Sequence, residues 1–430
     1  LEAKVDELGA QSAATSADAA EAKKIAEETR EASADPAMVD AAAKGVFVEK
    51  GDAPGSIKIP GTGISLGARG FAKLDVIQSF GDVGAGAIAE ELFDVTQIPT
   101  RASDPISGDR NSIHARESRL TVFAQGDTET FGRIRGVIEG DFFGAGVGEG
   151  GELLTNSEDF RIRLAKVDFG RFTAGMDWTT YGDVSAYPEN LDFLPPGAAP
   201  FIRQGVVRYT HPFGDGFTLA VAVENEEVSV LTSAGVDTTT SNDLPAFVAR
   251  ARWEQPFGHL QFAGVYRQLR SDETDDTTPG FGVGLSGRIN AGEHLSILHP
   301  KDNAKFHIQY GDGIGRFVTD NGLGSFAAAT DPNTLELVSV STFGVTGSVQ
   351  HWWTDSVRST VNASYVDVGN PSFAPVDALD TTFRIEGNLV WSPVRKLDLG
   401  AELQYGRRED QDGADGDLIR TQFSAKYSFP

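Results

Sequence analysis

The chain has 430 residues, no cysteine, 49 glycines, 27 phenylalanines and a formal net charge of -25 at pH 7. Disulfides and thiolate chemistry are thereby excluded, a zinc site would have to use histidine and carboxylate alone, and the mean field repels a nucleic-acid backbone. No run of about 18 apolar residues exists, so no transmembrane helix is expected; a spanning β-barrel, whose strands need only about 9–11 alternating residues, stays open at a mean hydropathy of -0.22.

Residues 1–44 are rich in Ala, Glu and Lys and carry no aromatic side chain before Phe47. A thin heptad seam through Leu1, Val5, Leu8, Ser12, Thr15, Ala19, Ala22, Ala26 and Thr29 predicts a helical, coiled-coil-like arm, ended by Pro36. Residues 45–63 read as an extended linker. No signal peptide is seen at Leu1, and the chain is read as mature or trimmed.

From Ile64 to the C-terminus the polarity alternates with period two, in about sixteen runs. Long polar connections alternate with tight links such as "GDTE" (126–129), "QPFG" (255–258) and "WTDS" (353–356); only 291–302 is too long for a minimal turn. Short turns at one end and long loops at the other, on an even number of antiparallel strands, are the pattern of an outer-membrane barrel. The predicted class is therefore all-β, a 16-stranded antiparallel transmembrane barrel over residues 64–430 behind the helical arm. Acidic stretches such as "SDETDD" (271–276) and "EDQDGADGD" (409–417) lie in the long loops, which are expected to face the medium.

The stretch "FGRIRGVIEGDFF" (131–143) sets Arg133, Arg135, Glu139 and Asp141 in one phase and Ile134, Ile138 and Phe142 in the other. An arginine facing lipid at the midplane costs about 2–4 kcal/mol, so the charged phase must point inward. Arg161, Arg163, Arg250, Arg252 and Arg384 follow the same rule, as does Arg420 in the last run; Arg119, Arg171 and Arg358 are further candidates. A barrel charged inside and apolar outside has a wet interior, and sixteen strands leave room for a channel. Trp178, Trp253, Trp352, Trp353 and Trp391 lie near run ends, where interfacial girdles sit.

The connection after the fifth run, 178–201, is long, aromatic and braced by proline. By position it matches the third loop that narrows the channel of general porins. Asp183, Tyr187, Glu189 and Asp192 are its candidate constriction residues, the carboxylates opposing the wall arginines across a transverse field. Competing motifs fail on context. "GISLG" (63–67) lacks the strand–turn–helix of a nucleophile elbow, "GVGLSG" (282–287) sits inside a strand, and "DQDGADGD" (410–417) lacks EF-hand spacing. No histidines pair at i, i+4, so no metal site is named and no cofactor is expected.

The passage "GSIKIPGT" (55–62), followed by Gly70, Lys73 and Asp75, together with "ARESRLTVFAQG" (115–126), resembles the DcaP-like family of outer-membrane channels, with the likeness running through essentially the whole chain. That resemblance implies a homotrimeric sixteen-stranded porin with a periplasmic N-terminal coiled coil. It also implies an arginine-rich lumen favouring small anionic solutes such as dicarboxylates, set in outer-membrane lipid and lipopolysaccharide. Outer-membrane proteins of this kind commonly end on Phe, whereas here Phe429 precedes Pro430. The expected function is a diffusion channel and not an enzyme. The rival is a structural anchor whose arm tethers the envelope; a hydrolase lacks a credible Ser, His and acid constellation.

Overall fold

The computed structural model describes residues 49–84, 90–104, 108–144, 159–239, 243–294 and 297–429. The expected coiled-coil arm, residues 1–44, lies outside them.

Sixteen wall strands follow in chain order. They are β1 (Ser65–Phe80), β2 (Arg110–His114 and Arg119–Thr128), β3 (Gly132–Asp141), β4 (Arg161–Phe169), β5 (Phe172–Trp178), β6 (Arg203–Gly214), β7 (Phe217–Glu224) and β8 (Ala246–Gln255). The second half comprises β9 (Gly258–Arg270), β10 (Thr277–Ile289), β11 (Asn303–Asp312), β12 (Ser341–Trp352), β13 (Val357–Gly369), β14 (Leu379–Val394), β15 (Leu397–Asp410) and β16 (Asp415–Phe429). Each is antiparallel to its neighbours, and β16 pairs with β1 from Ile419↔Phe80 to Phe429↔Gly70, which closes the barrel and leaves the wall without an edge.

The period-two pattern explains the wall. On β9 and β10 the side chains of Leu260, Phe262, Tyr266, Phe281, Val283 and Leu285 are exposed on the outside, while His259, Gln261, Arg267 and Ser286 are buried inside. Three of the five tryptophans, Trp253, Trp353 and Trp391, are exposed on the outer surface close to the short turns, as a girdle requires. The other two face arginines: Trp352 lies under Arg358 and Trp178 under Arg203. Turn chemistry fits as well. At Asp215–Gly216 both residues have positive φ, 49° and 76°, the two-residue hairpin turn that Asp-Gly favours.

Two irregularities were hidden in the alternation. Strand β2 is interrupted at 115–118, where the Ser118 hydroxyl takes a bond from the Lys73 amide (3.0 Å) and donates to the Lys73 carbonyl (3.2 Å). In β4, Glu139 faces Leu164 and Gly140 faces Ile162, so Arg163 is the extra residue of a bulge. The phase switches there: Arg161 is inward before it, Lys166 and Asp168 after it. The linker expectation is also refined, since Ser56–Lys58 pairs with the start of β1 and Glu49–Lys50 pairs with Ser56–Lys58.

The long loops do not all face the medium. The described residues of loop 1 (81–84, 90–104 and 108–109), with loop 3 (179–202) and loop 6 (313–340), fold into the barrel, and the largest apolar core is where loops 3 and 6 meet the wall. Tyr181, Ala198, Ile314, Phe317, Val318 and Phe326 are buried together there, with Phe93, Val95 and Ile98 of loop 1 in a second cluster. The short strands Val228–Thr232 and Gly235–Thr239 of loop 4 (225–245) join Ala328–Thr330 and Leu337–Ser339 of loop 6 in a separate four-stranded sheet.

Candidate functional site: the lumen and its third loop

Loop 3 leaves β5 and crosses the interior while touching most of the wall. The Thr180 amide and the Thr179 hydroxyl donate to Glu224 of β7 at 2.7 Å each. Asp183 accepts from Arg252 of β8 (3.1 Å) and from Ser286 of β10 (3.1 Å), and pairs with His259 of β9 (2.6 Å). Lys305 of β11 donates to the Tyr187 carbonyl, and the Arg358 fork of β13 grips Glu189 at 2.7 and 2.5 Å. Beyond that, Glu402 of β15 accepts from the Leu191 amide (2.8 Å), Gln422 of β16 donates to the Leu191 carbonyl (2.9 Å), and Arg420 pairs with Asp192 at 3.4 Å. A loop in a wet lumen keeps one shape only if its backbone groups find such partners.

Burial alone would raise the Asp183 carboxyl. The hydrogen bonds from His259 and Ser185 and the charges of His259 and Arg252 overcome it, holding the group well below the usual carboxylate range. The half-buried Tyr187 hydroxyl is pushed up by desolvation and by the Asp183 charge. Asp183, Glu189 and Asp192 thus do oppose wall arginines, but at contact distance. Each pair ties the loop to the wall.

The arginines divide by their partners. On the β2–β4 wall, Arg161 grips Asp141 with two bonds (3.0 and 3.1 Å), Arg163 reaches Glu139 (3.1 Å) and Asp141 (2.8 Å), and Arg119 lies 3.8 Å from Glu139. The inner carboxylates therefore neutralise much of this row. Arg384 is fully buried between Glu386 (2.6 Å) and Asp320 of loop 6 (3.2 Å), with its charge over Phe93, and Arg420 is fully buried too, so neither offers a face to a solute. Arg133 sits at the short-turn rim, exposed and paired with Asp127, away from the narrow zone. Arg171 lies in the turn after β4 and bonds Tyr209 (3.2 Å) and His211 (2.7 Å), both on the outer phase of β6; this turn position puts it outside the lumen row.

Two of the expected arginines have no carboxylate partner among the described residues: Arg135, stacked on Phe123, and Arg250. Others went unread in the sequence. Arg208 of β6 pairs with Asp177, and Arg288 of β10 has a buried Nε without a partner. Arg203 is held over Trp178 and Phe201, at 4.9 and 5.1 Å. Arg208 and Arg288 obey the same alternation as the rest, in "GVVRY" and "GLSGRI", where small or aliphatic outward neighbours mask the pattern.

The residues thus build a closed barrel with charged side chains inside and a third loop folded inward against the wall. A family model for the DcaP outer membrane protein matches residues 71–429. The chain belongs to the DcaP outer-membrane protein family. Structural likeness agrees in fold: the DcaP channel of Acinetobacter baumannii superposes with a TM-score of 0.72 at 19% identity, over 85% of this chain and 98% of that one. An anion-selective porin from Comamonas acidovorans gives 0.55 at 13% identity, over 85% and 100%, and Salmonella typhi OmpF in complex with daunomycin gives 0.51 at 11%, over 85% and 98%. A search of curated proteins returned no match. The DcaP family and the barrel together make this an integral outer-membrane channel of the porin type. Within the DcaP match fall all the arginines and loop-3 residues discussed above.

Proposed function

We propose that this porin favours small organic anions, dicarboxylates among them, drawn in by lumen arginines. The observation that carries the reading is that several wall guanidiniums, among them Arg135, Arg250 and Arg288, have no carboxylate partner among the described residues, with Lys305 beside Arg288 in register. Guanidinium stays charged at every relevant pH and grips a carboxylate through two parallel bonds, each weak enough for release. The acidic net charge does not oppose this, because acidic groups on outer loops are screened over about 8–10 Å while a lumen charge acts at contact. A neighbouring fold being described as anion-selective is in keeping with it.

Reversal potential across a planar bilayer under a potassium chloride gradient tests it. Anion preference with current reduced by succinate is expected; cation preference would overturn the reading. The same proposal includes a homotrimer in outer-membrane lipid and lipopolysaccharide, with residues 1–44 as a periplasmic arm. Cross-linking and mass measurement of the purified full chain test the assembly.

A further inference from the structure

We infer that one cavity, between loop 3 and strands β6–β9, is a carboxylate station whose decisive group is Arg250; this rests on the anion-channel reading above. The cavity measures about 340 Å³ and is lined by Thr179, Gly182, Asp183, Ser185 and Gln261 together with Arg208, Arg250 and Arg252. Three guanidiniums there face one lining carboxylate.

The three are not equivalent. Arg208 is committed to Asp177, which also takes Lys166 at 3.1 Å. Arg252 is committed to Asp183 (3.1 Å) and Ser185 (3.0 Å), with Glu254 at 3.4 Å on its outer side. Arg250 makes no ion pair or hydrogen bond with any described residue, and its Nε is buried. The reason lies in the register. Its cross-strand neighbours are Ala220 on β7 and Ala263 on β9, both buried, so neither adjoining strand brings it an acid and both leave space. A guanidinium that no protein acceptor engages is open to a solute carboxylate, whose two oxygens match its fork.

The chemistry selects the ligand class. A planar carboxylate fits the fork of Arg250, and the volume admits a small organic acid. Because Arg208 and Arg252 already hold protein carboxylates, the solute gains one full charge pair, which suits a station that must release what it captures. Arg250 touches the solute; Asp177 and Asp183 act by keeping the other two guanidiniums occupied.

The test is a succinate titration of single-channel current through the full-length chain in a planar bilayer. Arg250→Ala is expected to raise the half-blocking concentration by about tenfold or more, the loss of one charge-assisted bidentate contact. Arg250→Lys, which keeps the charge without the fork, is expected to retain chloride preference yet weaken the block. Arg171→Ala, in the short turn after β4, is expected to match the parent. Arg250→Gln supplies the reading if the alanine variant does not assemble. A parent channel that is anion-selective and blocked, with block unchanged in the alanine or glutamine variant, overturns the station alone. A cation-selective parent overturns the anion-channel reading itself.

Discussion

At the residue scale, what an arginine does here depends on what its neighbouring strand supplies. Arg384 sits two residues from Glu386 on its own strand and meets Asp320 from loop 6, and the trio is sealed from solvent. Arg384→Ala would leave two buried carboxylates unpaired, and a loss of about 3–5 kcal/mol is expected. A guanidinium-induced unfolding midpoint in detergent micelles reads it, with Glu386→Gln in the same background restoring part of the loss. Alternation told which arginines point inward, and ten of the eleven sequence candidates do so or sit at the rim in that phase; Arg171 does not. Alternation has no way to tell which of them are neutralised, because Asp183, Glu189, Asp320 and Asp192, which meet Arg252, Arg358, Arg384 and Arg420, come from loops distant in sequence.

At the element scale, loop 3 is held by its carboxylates, so its position should follow their protonation. The Asp183 carboxyl lies below its unfolded value, near 3.9 for a free aspartate; its stabilisation is therefore present above that value and lost as pH falls through the folded one. Single-channel conductance is expected to stay level from pH 7 down to about 4 and to become larger and noisier below it. Asp183→Asn should show that loosened behaviour already at pH 7, since Arg252 and His259 lose their anion; a quiet channel of unchanged conductance would contradict the anchoring role. The inward course of loop 3 was legible in its length, aromatics and prolines. That of loops 1 and 6 was not read, although "ELFDVTQIP" (91–99) and "IGRFV" (314–318) carry apolar residues that a solvated loop does not need. Short apolar words inside polar connections are the signal, and strand counting passes over them.

At the scale of the whole molecule, the wall is lopsided. Strands β3, β4 and β5 have 10, 9 and 7 residues, whereas β13 to β16 have 13, 16, 14 and 15. At about 3.4 Å per residue and a tilt near 40°, the short side spans roughly 18–26 Å against an apolar band of about 25 Å. Its outer face is also small-sided, with grooves lined by Ala124, Gly136, Ala165 and Ala174. In the proposed homotrimer this face is where a second protomer would pack. A Cβ on Gly136 would meet nothing within 4 Å, so Gly136→Phe should leave the barrel intact while native mass spectrometry reads a loss of association. Unchanged assembly would move the interface elsewhere.

The small sheet that joins loops 4 and 6 has a mechanical consequence. Val230 and Leu231 run alongside Ala328 and Ala329, and Val228, Val230, Ala328 and Leu337 share one buried cluster with Leu269 of the wall. Loops 4 and 6 are therefore tied to each other and to β9 through one paired sheet and one packed cluster. A bacteriophage or an antibody landing on this mouth meets a preformed, stiff epitope and pays little to order it.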